Sequence, residues 1–383
     1  MPRTFFLFGL GFFLLALSAC DSPSNVGINL VEQGGEPSIV RLIPGTFRNE
    51  PLQDVTGNGQ VVQRPMTGRV DDPALGTITA MGDVDFVTPI GVTDAFRSGT
   101  VTSVTLSLVP IYSYGDTLST ITVALNEFPE EWESVGARAD TVIQTVPGSI
   151  TEFTFTPQDT LVTVELPQSW IADNDSTLRS TLFNTSFHGF QFDPSSGNAV
   201  VAFSPSQTLL NVVSSGDTTA YTLSKTLTGI TRGALTQDFP DRIVLQDGAG
   251  PGIEVQFDFA SVLKDQAVNN IQFRFQADSL TLAEDTPPNF VRPQLREIAL
   301  FGVTEDQQAV EIDSAVRTKD GVYVFDTNNL IDVIQNMLLN NSVFTRFRLG
   351  VPPQRNSVNP VLLYGADSPM HPEAVITVTS LSN

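Results

Sequence analysis

The sequence holds a single cysteine, Cys20, in 383 residues. An internal disulfide and a thiolate metal site are therefore excluded, and any core must be held by packing alone. There are two histidines, His188 and His371. Neither has a helical histidine partner, so the zinc-protease arrangement is absent. No Gly-x-Ser-x-Gly and no glycine-rich phosphate loop occurs. Lysine is nearly missing: Lys225, Lys264 and Lys319 stand against 27 aspartates. The formal charge of −22 repels other polyanions, so nucleic acid is not an expected partner. Low lysine with high aspartate suits a salty medium, where screening shortens self-repulsion to a few Å. An ordinary acidic surface is the plainer explanation.

Long apolar runs are lacking too. Phe5 to Leu17 is about thirteen residues, short of the roughly 20 that a membrane-spanning helix needs. It follows Met1-Pro2-Arg3 and ends in Leu17-Ser18-Ala19-Cys20. A charged start, a short apolar stretch and small residues before a cysteine read as a secretory signal of the lipoprotein type. Cys20 is then the lipidation site and first residue of the mature chain, with palmitate among its acyl groups, since stable anchoring takes more than one chain. A simple signal peptide with a chance cysteine is the alternative. The expected location is the cell envelope, lipid-anchored at the outer membrane, with the periplasmic and surface faces both open.

The body is rich in period-two patterning. Val104, Leu106 and Leu108 alternate with Thr105 and Ser107; Ile121, Val123 and Leu125 repeat this, as does Leu161 to Leu166. Such alternation, with glycine and proline between the runs, marks half-buried antiparallel strands. Helix is scarce. The best candidate is Asn328 to Asn341, capped by Asp326 or Thr327, with Leu330, Ile331, Ile334, Met337 and Leu338 on one face; a weaker one is Ser169 to Phe183. The order of landmarks recurs. Val164-Glu165-Leu166, the weak helix, Phe190 to Pro194 and Val200 to Phe203 run parallel to Val322-Tyr323-Val324, the strong helix, Arg348 to Pro352 and Val361 to Tyr364. Upstream, Leu106-Ser107-Leu108 parallels Leu280-Thr281-Leu282, and Val123-Ala124-Leu125 parallels Ala299-Leu300-Phe301. The series implies a duplication; a strand rhythm shared by any two sandwiches is the alternative. The expected fold is mainly β: two related antiparallel β-sandwich, jelly-roll-like domains, each with one short helical crossover. The expected organisation is a signal peptide at 1–19, a tether and N-terminal extended segment at 20–60, a first sandwich at 61–216 and a second at 217–383. The boundary is placed at Ser214-Ser215-Gly216-Asp217.

Two resemblances follow. Leu106-Ser107-Leu108, Ile121-Thr122-Val123, Glu131-Trp132-Glu133, Gly189-Phe190-Gln191-Phe192 and Val200 to Ser204 together resemble the disaggregatase-related, carbohydrate-binding-module-like β-sandwich. Cys20 followed by Val26-Gly27, then Thr67-Gly68-Arg69-Val70-Asp71-Asp72-Pro73-Ala74-Leu75-Gly76, and late Pro360 to Gly365, is similar to an uncharacterised family of Bacteroidota-type lipoproteins (domain of unknown function 4270). That resemblance implies a cell-envelope lipoprotein and no assigned activity.

Candidate sites have plain alternatives. Trp132, with Tyr112 and Tyr114, offers aromatic faces for stacking on carbohydrate; a packed lid is the other reading of Trp132. Glu130, Glu131 and Glu133 flank it and supply paired carboxylates of the kind used in glycoside hydrolysis, or a solvated turn. Asp71-Asp72, and Asp173 with Asp175, are candidate calcium ligands, though neither matches a calcium loop. No other cofactor is expected. Aspartate followed by Ser or Thr and then an aliphatic residue or Thr recurs at Asp116, Asp140, Asp159, Asp175, Asp217, Asp278 and Asp313. The pattern is similar to an O-glycosylation motif of exported Bacteroidota-type proteins; a turn in which the aspartate bonds its own backbone is the alternative. The resulting expectation is an exported, lipid-anchored, non-enzymatic envelope protein that is structural or binds other proteins. A carbohydrate-binding lipoprotein with an exposed aromatic site in the first sandwich is the alternative. The expected partners are the membrane and other envelope proteins or glycans.

Overall fold

The structure is a computed structural model and describes residues 36–50, 64–134, 137, 143–248, 252–284, 286–352 and 357–380. The chain is mainly β. In order it forms β1 (Ser38–Leu42), β2 (Thr46–Asn49), β3 (Met66–Asp72), β4 (Gly76–Val87), α1 (Asp94–Ser98), β5 (Val101–Leu108), β6 (Pro110–Asp116), β7 (Ile121–Glu127), β8 (Thr151–Phe155), β9 (Val162–Glu165), α2 (Gln168–Arg179), α3 (Phe183–Ser186), β10 (Phe190–Ser196), β11 (Ala199–Phe203), β12 (Leu209–Ser214) and β13 (Asp217–Arg232). The second half adds β14 (Arg242–Gln246), β15 (Ile253–Gln256), α4 (Phe259–Val262), β16 (Gln266–Asp278), α5 (Thr281–Glu284), β17 (Phe290–Val291), β18 (Glu297–Thr304), β19 (Ala309–Val316), β20 (Val322–Phe325), α6 (Asn328–Leu338), β21 (Phe344–Gly350), β22 (Pro360–Tyr364) and β23 (Glu373–Ser380).

The alternating residues face inward as their spacing requires. Val104, Leu106 and Leu108 of β5 and Ile121, Val123 and Leu125 of β7 are all buried in one core with Phe190, Phe192 and Phe203. A second core gathers Phe273, Phe275, Leu300, Phe325, Phe347, Leu349 and Ile376. α2 closes the first core with Trp170, Ile171 and Leu178, and α6 the second with Leu330 and Ile334. Each helix is the crossover between two sheets, and each begins where an extended residue, Pro167 or Thr327, turns the chain.

The two sandwiches share one pairing order. In the first, β8-β7-β10-β4-β13 forms one layer and β9-β5-β12-β13 with β6-β11-β3 the other, and β3 also pairs β4, so the layers are continuous in one sheet. In the second, β19-β18-β21-β15-β2 matches the first layer, and β20-β16-β23-β1 with β16-β22-β14 matches the second. Leu125 opposite Phe192 corresponds to Leu300 opposite Leu349. The strand equivalent to β5 is β16, not Leu280 to Leu282, which enters the short helix α5. Helical backbone wins there because the Asp278 carboxylate accepts the amides of Leu280 and Thr281 at 3.1 Å each and caps the turn.

The pairing also corrects the expected domain limits. Ser214 to Asp217 is no linker. Ser215 and Gly216 both have positive φ (51° and 90°) and form the two-residue turn of the β12–β13 hairpin. β13 then runs across both layers of the first sandwich, pairing β12 and afterwards β4. In the second sandwich, among the described residues, a different segment follows this course. Residues 38–49 do it from the other end of the chain: β1 pairs β23 and β2 pairs β15, in the same direction as β13. The segment expected as a tether is thus in part the closing strand of the second sandwich. Its hold is a mixture of backbone bonds, the Phe47 ring stacked 5.9 Å from Phe275, and Glu50 paired with Arg346 and Arg348.

Phe47→Ala should lower stability by about 2 kcal/mol, less than the 3–5 of a fully buried ring because Phe47 is only half-buried. Urea unfolding monitored by circular dichroism checks this; an unchanged midpoint would mean that β2 does not close the second sandwich.

Candidate functional site

The residues singled out in the sequence come together in two places. The first is the seam between the sandwiches. β3 leads into a tight turn at Asp72 to Gly76. Gly68 (φ +131°) lets β3 lie against β11; a Cβ there would stand 2.1 Å from the Ala199 carbonyl oxygen. The Asp72 carboxylate accepts the amides of Ala74 (2.8 Å) and Leu75 (3.0 Å), which fixes the turn. It also accepts the Tyr114 hydroxyl at 2.5 Å and both Nε and Nη2 of Arg292 at 2.8 and 2.9 Å. Arg292 comes from the far half of the chain, on the β16–β18 connection. Its remaining nitrogen donates to the Leu282 carbonyl and to Thr286 Oγ1, and its guanidinium lies 5.3 Å from the Phe290 ring centre. The Asp72 side chain is wholly buried and that of Arg292 is 3 % exposed. Burial pushes the Asp72 carboxyl upward, but the hydrogen bonds from Arg292 and Tyr114 outweigh it and hold the acid below its ordinary range. Around this pair lie Met66, Val70, Ile78, Tyr114, Phe290 and Val358 on one side and Leu75, Val244, Leu282 and Leu362 on the other.

Tyr112 and Tyr114 are therefore seam residues. Tyr112 donates its hydroxyl to Asn359 at 2.8 Å and accepts the Val358 amide at 3.2 Å. Burial pushes the Tyr114 hydroxyl upward, followed by the Asp72 charge. Neither ring is a free stacking face. Nor does Asp72 have oxygen to spare for calcium. Asp71 accepts Thr77 Oγ1 at 2.6 Å and pairs with Arg69, and Asp175 is held by Arg179 and the Val101 amide. Among the described residues no group of three or more His, Cys, Asp or Glu is placed to hold a metal ion.

The second place is the outer face of β4, β10 and β13. Trp132, with Phe128, Ala137 and Ile143, covers part of it at Leu227. Trp132 is 5 % exposed. Its indole N–H donates to the His188 carbonyl at 2.8 Å, and it packs with Phe128, Ala137, Leu227 and Ile143. The exposed aromatic platform expected here is thus a lid, for the reason that its apolar area covers Leu227 better than water would. Glu130, Glu131 and Glu133 stay exposed around it. Lys225 extends beneath, donating to the Trp132 carbonyl at 2.6 Å, with its ammonium 4.8 Å from the ring centre and 3.6 Å from Asp85. Gly189 (φ +90°) lets β10 start flush against β4, where a Cβ would meet the Val84 carbonyl at 1.8 Å.

Beside the lid lies Asp83, 4 % exposed, opposite Leu227. Among the described residues its side-chain partner is Gln191, whose Nε2 donates at 3.1 Å. Burial pushes this carboxyl up to about 7, and the amide of Gln191 offsets only part of it. Asp85 and Glu127 are raised by burial as well; Lys225 tempers the first and the Trp170 indole the second. Chemically, the layer stores a proton near neutral pH under an apolar cover. Sequence reasoning passed over Asp83, Asp85 and Lys225. The available signal was an acid at alternate positions of an otherwise apolar strand, Gly82-Asp83-Val84-Asp85-Phe86-Val87. The second sandwich bears a polar layer on the equivalent face too, Glu254 with Arg48, Arg346 and Glu50. There the β18–β19 hairpin is short and touches the layer through Gln307, whose Oε1 accepts Arg346 Nη2 at 2.7 Å.

His371 sits in a turn with Nδ1 3.0 Å from the Ser368 carbonyl. Of the Asp-Ser/Thr sites, Asp116, Asp159 and Asp278 each bond a backbone amide within three residues, as turns do, and Asp313 lies within β19. Asp140 and Cys20 lie outside the described residues.

Two outcomes follow from these geometries. Arg292→Ala leaves the Asp72 charge buried without its partner and should cost about 3–5 kcal/mol, with Asp72→Asn in the same background recovering part of it; chemical denaturation of the single and double variants reads this directly. For Asp83, the folded value lies above the unfolded one, so the folded state binds more protons between about pH 4 and 7. Stability should fall across that window, by at most about 1.4 kcal/mol per pH unit from this group, and level off above it. Asp83→Asn should remove that slope and be more stable than the parent at pH 8; a parental pH profile in the variant would refute the assignment. No protein-family model matches the chain, and a search of curated proteins finds no match.

Proposed function

We propose that this chain is an exported, lipid-anchored component of the cell envelope whose two sandwiches serve a structural or protein-binding role without catalysis. The observation that carries the reading is the Leu17-Ser18-Ala19-Cys20 segment behind a short apolar stretch, with no second cysteine in the chain. The body supports it in kind: two cores with no possible internal disulfide, joined through a buried ion pair, make a two-lobed unit suited to standing off a membrane. Among the described residues no helix is long and apolar enough to cross a bilayer. The carbohydrate-binding alternative loses its support because Trp132 and Tyr114 are buried and Tyr112 is bonded across the seam.

Cys20→Ala should move the protein from the membrane fraction to the soluble one, or block its maturation, while thermal unfolding of the purified body stays unchanged. An unaltered membrane fraction would sink the lipid-anchor reading. Protease treatment of intact cells separates the two faces: cleavage means surface display, protection the periplasmic side.

A further inference from the structure

The strand registers fix where the chain enters the second sandwich. Ser38 pairs with Val378, and Val378 pairs with Val268, so Ser38 lies at the beginning of β16. Gln335 donates its Nε2 to the Val268 carbonyl at 3.1 Å and brings the last turn of α6 to the same end. α4 arrives there as well, because Leu263 to Asp265 joins it directly to β16. Four aliphatic side chains on these segments are turned to solvent: Ile39, Leu339 and Val343 at 68 % and Val262 at 38 %.

The first sandwich meets the second at the opposite end of β16. There Ala277 and Asp278 pair with Leu363 and Leu362, and Leu362 packs with Ala74 and Leu75. The 13 residues of β16 span about 40 Å at roughly 3.3 Å each. Ser38 is 18 residues beyond Cys20, a stretch that bridges at most about 60 Å. An anchor at Cys20 therefore lets the α4–α6 end of the second sandwich meet the bilayer with the least stretching of the chain between them, the first sandwich then lying on the far side.

The geometry points to this end, with Ile39, Val262, Leu339 and Val343, as a surface that rests on the lipid bilayer when Cys20 is acylated. The inference rests on the lipid-anchor reading. A few exposed aliphatic groups bind a bilayer weakly on their own, but a tether raises their effective concentration at it. Charge selects the lipid. Glu36, Asp258 and Asp265 flank this end, with Lys264 among them, and the whole chain carries −22. The contact is therefore apolar in origin and favours a zwitterionic over an anionic surface.

The test uses the full lipidated protein in phosphatidylcholine vesicles. An environment-sensitive fluorophore is placed at Leu339→Cys or, as control, at Leu182→Cys, an exposed position of the first sandwich. Acylated Cys20 does not take the label. The expected result is that both proteins float with the vesicles, and that only the probe at 339 shifts to the blue and is quenched by brominated acyl chains. The shift should shrink when phosphatidylglycerol replaces part of the phosphatidylcholine. Flotation with an unshifted probe at 339, or with equal shifts at 339 and 182, overturns the surface alone. A shift at 339 without vesicles identifies a second copy as the occupant and also overturns it. Failure to float overturns the anchor reading and this inference together.

Discussion

The buried pair of Asp72 and Arg292 is the constraint on which the arrangement of the two sandwiches depends. Each side chain alone would be costly to remove from water. Together they satisfy one another in a two-toothed geometry, and their other polar atoms are bonded to Tyr114, Leu282, Thr286 and two turn amides. A pair of this kind contributes little net stability relative to a well-packed apolar substitute, but it penalises every arrangement that separates its members. The members lie 220 residues apart in the chain. Their meeting specifies how the two halves sit, and the apolar clusters on either side supply most of the attraction.

The second organising fact is the repeated pairing order with one strand supplied from a different end. β13 crosses both layers of the first sandwich as a continuous 16-residue strand. In the second sandwich the same course is followed by β1 and β2, interrupted by the short bend between Leu42 and Thr46. A sandwich without this strand would expose unpaired edges of β23 and β15, which invite pairing with other chains. Closing them with residues just after the proposed anchor couples the attachment point to the stability of the second core.

The two copies also diverge where their shared outer face meets solvent. In the first, Trp132 packs over Leu227 and Lys225, and burial raises Asp83 and Asp85 beside them. In the second the connection is a tight hairpin, and the carboxylates of Glu50 and Glu254 are paired with arginines. The same sheet face thus carries acids raised by burial, with one lysine among them, in one copy and a network of arginine ion pairs in the other.

Much of this was legible from residue order. Period-two alternation placed β5, β7 and β9, the apolar face of Asn328 to Asn341 placed α6, and the recurrence of strand, helix and strand showed the duplication, because each rests on local spacing that burial must respect. The polar Ser214 to Asp217 stretch was ambiguous: the same residues suit a linker and a hairpin turn, and only the partner strand decides. Tryptophan and tyrosine were ambiguous for a like reason, since an aromatic ring serves a core as well as a ligand. The sequence by itself determined the strand-rich class, the single cysteine and the charge. The tertiary structure alone decided that residues 38–49 close the second sandwich, that Asp72 finds Arg292, and that Trp132 is a cover. Those are contacts between distant segments, and no periodicity within a segment encodes which distant surface it will meet.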